Sequence, residues 1–280
     1  MVGNTGHEIA IPHSATGAAA PVDERPSIPT VVQGALTVGV AVLLAVGGFV
    51  WVQRQVHVSV REAQNDIAGF VYAVLGVQYA VVLAFVVVVV WQEFDAARLV
   101  VEGEAGALAD LYLLARNFPE PQRTHIQDAA RAYARVVVNE EWPLLANGQE
   151  SRRAGDLLQE IRGSIHSLEP NTPKEQVLYD HGLIRSRDLM DNRRLRMHYS
   201  RQGIPSALWF VLVPGGVIVI TFTYFFGLRN TRAHALMIAL LTMVITGTIF
   251  LSRALDFPFT GDVRIEPDAF KEALRTIGND

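Results

Sequence analysis

The sequence predicts an all-α integral membrane protein with four transmembrane helices in two pairs and a helical cytosolic region between and after them. Four apolar stretches, about Val31 to Val52, Ile67 to Trp91, Ser206 to Leu228 and Ala235 to Ser252, contain no acid or base. At ~1.5 Å of rise per residue, the second and third each suffice to cross a ~30 Å hydrocarbon core. The fourth, at about eighteen residues, is the shortest. Half of all residues are hydrophobic and 19% are charged, below the roughly one quarter of a soluble domain. A helix in water needs a polar face, and these stretches have none. Their glycines and β-branched residues would weaken a helix in water. In lipid every backbone N–H must be paired within its own segment, so helix is favoured regardless.

Residues 1–30 are rich in Ala, Gly, Pro and Ser/Thr and hold too little apolar surface to offset the entropy of ordering. They are expected to form a flexible tail. The segment before Val31 lacks a basic region and the apolar run after it is too long for a cleaved signal, with Trp51 at its edge as an interfacial anchor. The first crossing is therefore expected to be retained. The first pair of crossings occupies residues 31–91, the cytosolic region 92–205, the second pair 206–255, and a cytosolic C-terminal segment 256–280.

Within the middle region, Glu93 to Arg116 continues the second crossing without a Gly-Pro break, with Leu99, Leu108, Leu111, Tyr112 and Ala115 at helical spacing. Phe118-Pro119-Glu120-Pro121 ends it. A second helix fits Arg123 to Trp142, with Ile126, Ala129, Tyr133, Val136 and Val137 on one face, and should stop at Pro143 and Asn147-Gly148. A third covers about Arg152 to Leu168. The fourth opens on a capping box, in which Thr172 caps, Pro173 takes the first position and Glu175 reaches back, and it runs to about Gln202 before Gly203 and Pro205. Pro214-Gly215-Gly216 should kink or loosen the third crossing.

With four crossings, the termini and the middle region share one side. Arg25, Arg98, Arg193, Arg194, Arg196, Arg201, Arg264 and Lys271 lie near the membrane on that side, against Arg54, Arg61, Arg229 and Arg232 on the other. The positive-inside rule places both termini in the cytoplasm of a multi-pass protein of the inner (plasma) membrane.

Several chemistries find no support. The net charge is -4 and no Lys/Arg block exists to track a phosphate backbone, so nucleic acid is not an expected partner. Without cysteine there is no thiolate ligand or thiol nucleophile. His7-Glu8 lacks the second histidine of a zinc-protease motif, no phosphate loop follows any strand, and Asp180-His181 reads as helix surface. No catalytic residue, metal site or cofactor is expected, and the chain does not read as an enzyme. Arg253 and Asp256, one turn apart at a membrane edge, are expected to pair with each other.

The second crossing carries the sharpest pattern. Gly69, Ala73, Gly76, Ala80 and Ala84 line one face with small side chains, a usual contact surface between helices in lipid. Beside it lie Val77, Val81 and Phe85 at strict four-residue spacing. They either face lipid or a neighbouring helix, or they form a hydrophobic ring around an oligomer axis that gates by dewetting. Of the polar groups in this crossing, Tyr72, Tyr79 and Gln78, side-chain bonding across helices is the ordinary role, and Gln78 is the candidate to touch a pore.

Val82-Leu83-Ala84-Phe85, the run Trp91 to Arg98, Glu104-Ala105, Leu108 to Tyr112, Glu141-Trp142-Pro143, Pro205 to Trp209 and Leu255 to Gly261 together resemble the bacterial bestrophin-like domain family, itself similar to the bestrophin anion channels. The resemblance spans about Ile67 to Phe270. It implies a pentameric channel for small anions such as chloride, with four membrane helices per subunit, cytoplasmic termini and a helical cytosolic region. It also implies a neck of three apolar residues on the second crossing, ending in a Phe shortly before an aromatic and acidic stretch with an arginine. Val77, Val81 and Phe85, followed by Phe94-Asp95-Ala96-Ala97-Arg98, follow that order, with valines where larger residues would narrow the neck. Animal bestrophins carry a dense acidic calcium clasp after the last crossing. Here Asp262, Glu266 and Asp268, interrupted by Arg264 and Pro267, supply too few oxygens, and are expected to be solvated or ion-paired. The alternative reading is a non-conducting, membrane-anchored helical scaffold or regulatory protein.

Overall fold

A computed structural model describes residues 29–56, 58–62 and 64–278. The expected tail, residues 1–30, lies outside the described residues except for its last two. Among those described, all regular structure is helical: α1 Thr30–Gln55, the short α2 Val58–Glu62, α3 Asn65–Ala115, α4 Gln122–Val136, a π turn Val137–Glu141 leading into α5 Trp142–Leu145, α6 Arg152–His166, α7 Pro173–Arg201, α8 Ser206–Phe222, α9 Thr231–Leu255 and α10 Asp268–Gly278. α1, α3, the segment Pro173–Phe225 that includes α8, and α9 each hold a stretch long and apolar enough to cross a membrane.

The rod α3 organises the molecule. Its 51 residues measure ~76 Å at ~1.5 Å per residue, so one uninterrupted helix serves both membrane and helical domain. Its upper half buries Tyr79, Val86 and Val90 against α8 and α9, with Leu212, Val219, Ile245 and Leu255. Its lower half buries Ala97, Val101, Leu108, Leu111, Tyr112 and Ala115 in the core of the helical domain, with Ile126, Tyr133, Ile161, Leu189 and Phe270. α1 lies on the far side of α9, where Phe49 and Ala45 pack with Tyr224 and Ile238, and the Tyr224 hydroxyl donates to the Ala45 carbonyl at 2.7 Å.

The loops join as the two-pair topology requires. At one end, the Asn65 side chain donates to the Gly227 carbonyl at 3.0 Å and accepts its N–H at 2.9 Å, and Arg61, buried, donates to the Tyr224 carbonyl at 3.2 Å. At the other end, Asp256 accepts the Ile204 N–H at 2.7 Å and pairs with Arg253 at 2.9 Å. Asp262 takes the first N–H of α1 at Thr30.

One expectation needs correction. Pro143 does not end the second cytosolic helix. A proline ring clashes with the carbonyl four residues back, and here the chain widens into a π turn, in which the Trp142 N–H bonds to the Val137 carbonyl, before continuing to Leu145 and turning at the expected Asn147-Gly148. Pro214 stands inside α8, which continues through it from Ser206 to Phe222; the glycines after it serve close packing. A Cβ at Gly216 would lie 2.8 Å from Tyr79 Oη and 3.2 Å from Ile245 Cγ2. The segment after the last crossing is helical as expected, and its amphipathic helix α10 buries Phe270, Ala273 and Ile277. The capping box at Thr172 and Glu175 forms as expected, Arg264 pairs with Glu266 at 2.8 Å and Lys271 with Asp268 at 2.9 Å.

The Tyr79 hydroxyl donates to the Leu212 carbonyl at 3.2 Å, so a side chain at Gly216 must displace it. Gly216→Ala is expected to destabilise by about 1–3 kcal/mol through overpacking and the lost bond. Adding Tyr79→Phe should recover part of that, read as the melting temperature of each variant in detergent.

Candidate functional site

The upper half of α3 has two unlike sides. Tyr79, Val86 and Val90 fall about half a turn away from Val77 and point inward. Val77, Val81 and Phe85 point away from the rest of the chain, at 65%, 58% and 71% exposure. Gln78, Ala73, Ala80 and Ala84 are exposed on the same outward side, while Gly69 and Gly76 are half-buried with open space where a Cβ would stand. The subunit therefore packs its own helices on one side of α3 and leaves the small-residue face and the apolar triple uncovered, next to each other. The outward side continues to the membrane edge with Val88 and Trp91, where Trp91 stacks on Phe94 with ring centroids 6.5 Å apart. Asp95 and Arg98 pair there at 2.8 Å, both half-exposed.

Between Gly69 and Trp91 this surface carries no acid or base. What it offers is a stripe of methyl groups and one ring, with a single amide, Gln78, beside it.

Below the membrane edge the rod is fixed by a buried ionic network that the sequence reading did not identify. Arg196 of α7, fully buried, donates Nε to Glu104 Oε2 at 2.6 Å and Nη2 to Glu104 Oε1 at 2.9 Å and to Glu141 Oε1 at 2.7 Å. Glu141, delivered by the π turn, also accepts from Arg193 Nη2 at 2.7 Å and from the Ser151 N–H at 2.9 Å. The Tyr133 hydroxyl donates to Glu104. The rings of Trp142 and Phe270 lie 5.6 and 5.8 Å from the Arg196 guanidinium carbon. Burial pushes the Glu141 carboxyl up, but hydrogen bonds from Arg193 and the charge of Arg196 outweigh it and hold the group below the ordinary carboxylate range. Burial would depress Arg196, yet Glu104 outweighs it and raises its pKa; burial and the Glu104 charge raise Tyr133 well above a free tyrosine. Arg193 and Arg196, counted above among the membrane-facing bases, are thus engaged inside the protein.

A depressed carboxyl pKa adds stability that is present above the unfolded value and lost as pH falls through the folded one. The melting temperature is therefore expected to hold from about pH 7 down to about pH 5 and to fall below that, as protons are driven onto Glu141. A pH series of thermal melts reads this directly.

Residues 39–270 match the profile of the Bestrophin-like domain. No curated protein matches the chain. Among solved structures, a mutant of a bacterial bestrophin homologue from Klebsiella pneumoniae is similar at 15% identity, over 88% of this chain and 99% of that one, with a TM-score of 0.65. A second mutant matches at 14% identity over 87% and 98%, with a TM-score of 0.66. A further structure of the homologue matches at 15% identity over 85% and 96%, with a TM-score of 0.64. These likenesses establish the fold; the profile, which covers most of the length, establishes that the chain belongs to the Bestrophin-like family.

Proposed function

We propose that the chain is one subunit of a homo-oligomeric, pentameric membrane channel for small anions such as chloride, with α3 lining the pore. In this reading Val77, Val81 and Phe85 form the neck, Gln78 stands beside it as the polar contact, and Gly69, Ala73, Gly76, Ala80 and Ala84 seal each α3 against its neighbour. The observation that carries it is the outward turn of the triple and the small face on a helix whose other side is fully used within the subunit. A four-helix chain has no room for a solvated pore inside itself, so an uncovered apolar stripe in the middle of a crossing calls for an axis built from several copies. An uncharged constriction of this kind conducts only when wetted. The anion preference follows the family resemblance, and both termini and the helical domain are assigned to the cytoplasm by the distribution of basic residues.

Replacing Ala80 with Leu is expected to part neighbouring α3 helices and break the ring, since Ala80 is exposed in the single chain and its loss of smallness costs nothing within the subunit. Native mass measurement in detergent should show about five copies for the wild type and smaller species for the variant. A wild-type monomer or simple dimer would return the scaffold reading. Orientation has its own test: reporters placed after Asp280 and near Asn147, an exposed loop position, should both report cytoplasmic.

A further inference from the structure

A second feature of the membrane half is a groove on the side away from α3. Between α1, α8 and α9, a cavity of about 530 Å³ opens at the edge nearest the helical domain, among Ser206, Trp209, Phe250, Arg253 and Phe257. A second cavity of about 480 Å³ carries the path deeper, past Ala41, Val217, Ile220 and Thr242. Thr37, Val213, Thr246 and Ile249 line both, so the two form one continuous channel-like cleft, and no residue of α3 lines either.

The mouth and the body differ in chemistry. Arg253 sits at the mouth with its guanidinium carbon 4.5 Å from the Phe257 ring centroid and 5.9 Å from that of Trp209. One amino group, Nη1, bonds Asp256 Oδ2 at 2.9 Å, and the side chain is still 57% exposed. A guanidinium has five N–H donors in a planar fork, so most of its donors remain free toward solvent. Asp256 itself is buried and turned to the Ile204 N–H. The body beyond the mouth is walled mostly by aliphatic side chains, with threonine hydroxyls and the Tyr224 hydroxyl, which is bonded to the Ala45 carbonyl, as its polar side-chain groups and no charged residue.

The length matches a leaflet. α9 from Thr242 to Arg253 spans ~16 Å at ~1.5 Å per residue, close to half of a ~30 Å hydrocarbon core. An aromatic pair and an arginine at the interface, above an apolar cleft one leaflet deep and opening to the bilayer side, is the complement of a phosphate carried on an acyl chain.

We propose that this cleft is a binding site for an anionic phospholipid of the leaflet adjoining the helical domain, its headgroup phosphate held by Arg253 and one acyl chain lying along Thr246, Val213 and Ile249 toward Thr242. The site is independent of the pore assignment, because it needs neither conduction nor any α3 residue.

The test uses the full-length protein in detergent, with native mass spectrometry titrations of dioleoylphosphatidylglycerol and dioleoylphosphatidylcholine. Wild type should bind the anionic lipid roughly fivefold more tightly, the effect of about one arginine at an anionic surface. Arg253→Gln combined with Asp256→Asn keeps an acceptor for the Ile204 N–H and leaves no stranded carboxylate, so folding is protected; it should abolish the preference while leaving phosphatidylcholine binding unchanged. Thr246→Trp fills the cleft at the point both cavities share and should weaken both lipids. Added phosphatidylglycerol should raise the melting temperature of the wild type and not of Thr246→Trp. Equal binding of the two lipids by wild type, a preference that survives the double variant, or binding untouched by Thr246→Trp would each overturn the site.

Discussion

Replacing Arg196 with methionine is expected to lower the melting temperature by about 10 °C, because it leaves a carboxylate buried without its cation, an effect of about 3–5 kcal/mol. The two glutamates are not equally exposed to the loss. Glu141 keeps Arg193 at 2.7 Å and the Ser151 N–H at 2.9 Å. Glu104, fully buried on α3, keeps only the Tyr133 hydroxyl. The cost should therefore sit on Glu104, and Arg196→Met with Glu104→Gln should recover most of the loss, since a neutral amide still accepts from Tyr133. A double-mutant cycle on these two positions measures the coupling, and an Arg196→Met protein that melts with wild type would mean the guanidinium does not hold this contact. The same change bears on the proposed pore, because the network fastens the lower half of α3 to α7 and to the π turn.

That network was half legible. Glu104 falls on the same helical face as Val101, Ala105, Leu108 and Leu111, and a lone carboxylate on a core face demands a buried partner. On α7, Arg196 stands one position before Met197 and seven after Leu189, all buried. Those two faces could have been matched. Glu141 could not, because its direction depends on a π turn, and a shift of backbone hydrogen-bond register leaves no mark in side-chain periodicity. The same turn explains why Pro143 reads as a stop and is not one.

The crossings were readable because hydrophobic runs without charge have no other stable placement than lipid. In the helix α10, Phe270, Ala273, Leu274 and Ile277 keep helical spacing, and the acids Glu266 and Asp268 before them are ion-paired as their small number of oxygens implied. On α3 the spacing of Val77, Val81 and Phe85 was visible, whereas the side of the helix turned inward was not. A crossing apolar all round carries almost no amphipathic signal, so only packing shows that Tyr79, Val86 and Val90 are the inner face.

With the inner face assigned, changing Val77, Val81 and Phe85 together to alanine should raise anion flux through reconstituted vesicles about tenfold or more, the factor that corresponds to lowering a barrier by ~1.4 kcal/mol. The three side chains make the narrowest, driest part of the proposed pore, and truncating them widens it and admits water. Their exposure of 58–71% in the subunit means that the change removes little intramolecular packing, so the fold and the small-residue contacts at Ala73, Ala80 and Ala84 should survive, and oligomer mass must be shown unchanged before flux is compared. Flux that matches empty vesicles for both proteins, with the ring intact, would leave a non-conducting scaffold. Flux present in the wild type and insensitive to the substitution would keep the channel and move the lining to the adjacent face around Gln78 and Val82, which a Gln78→Leu variant would then test by its effect on ion preference.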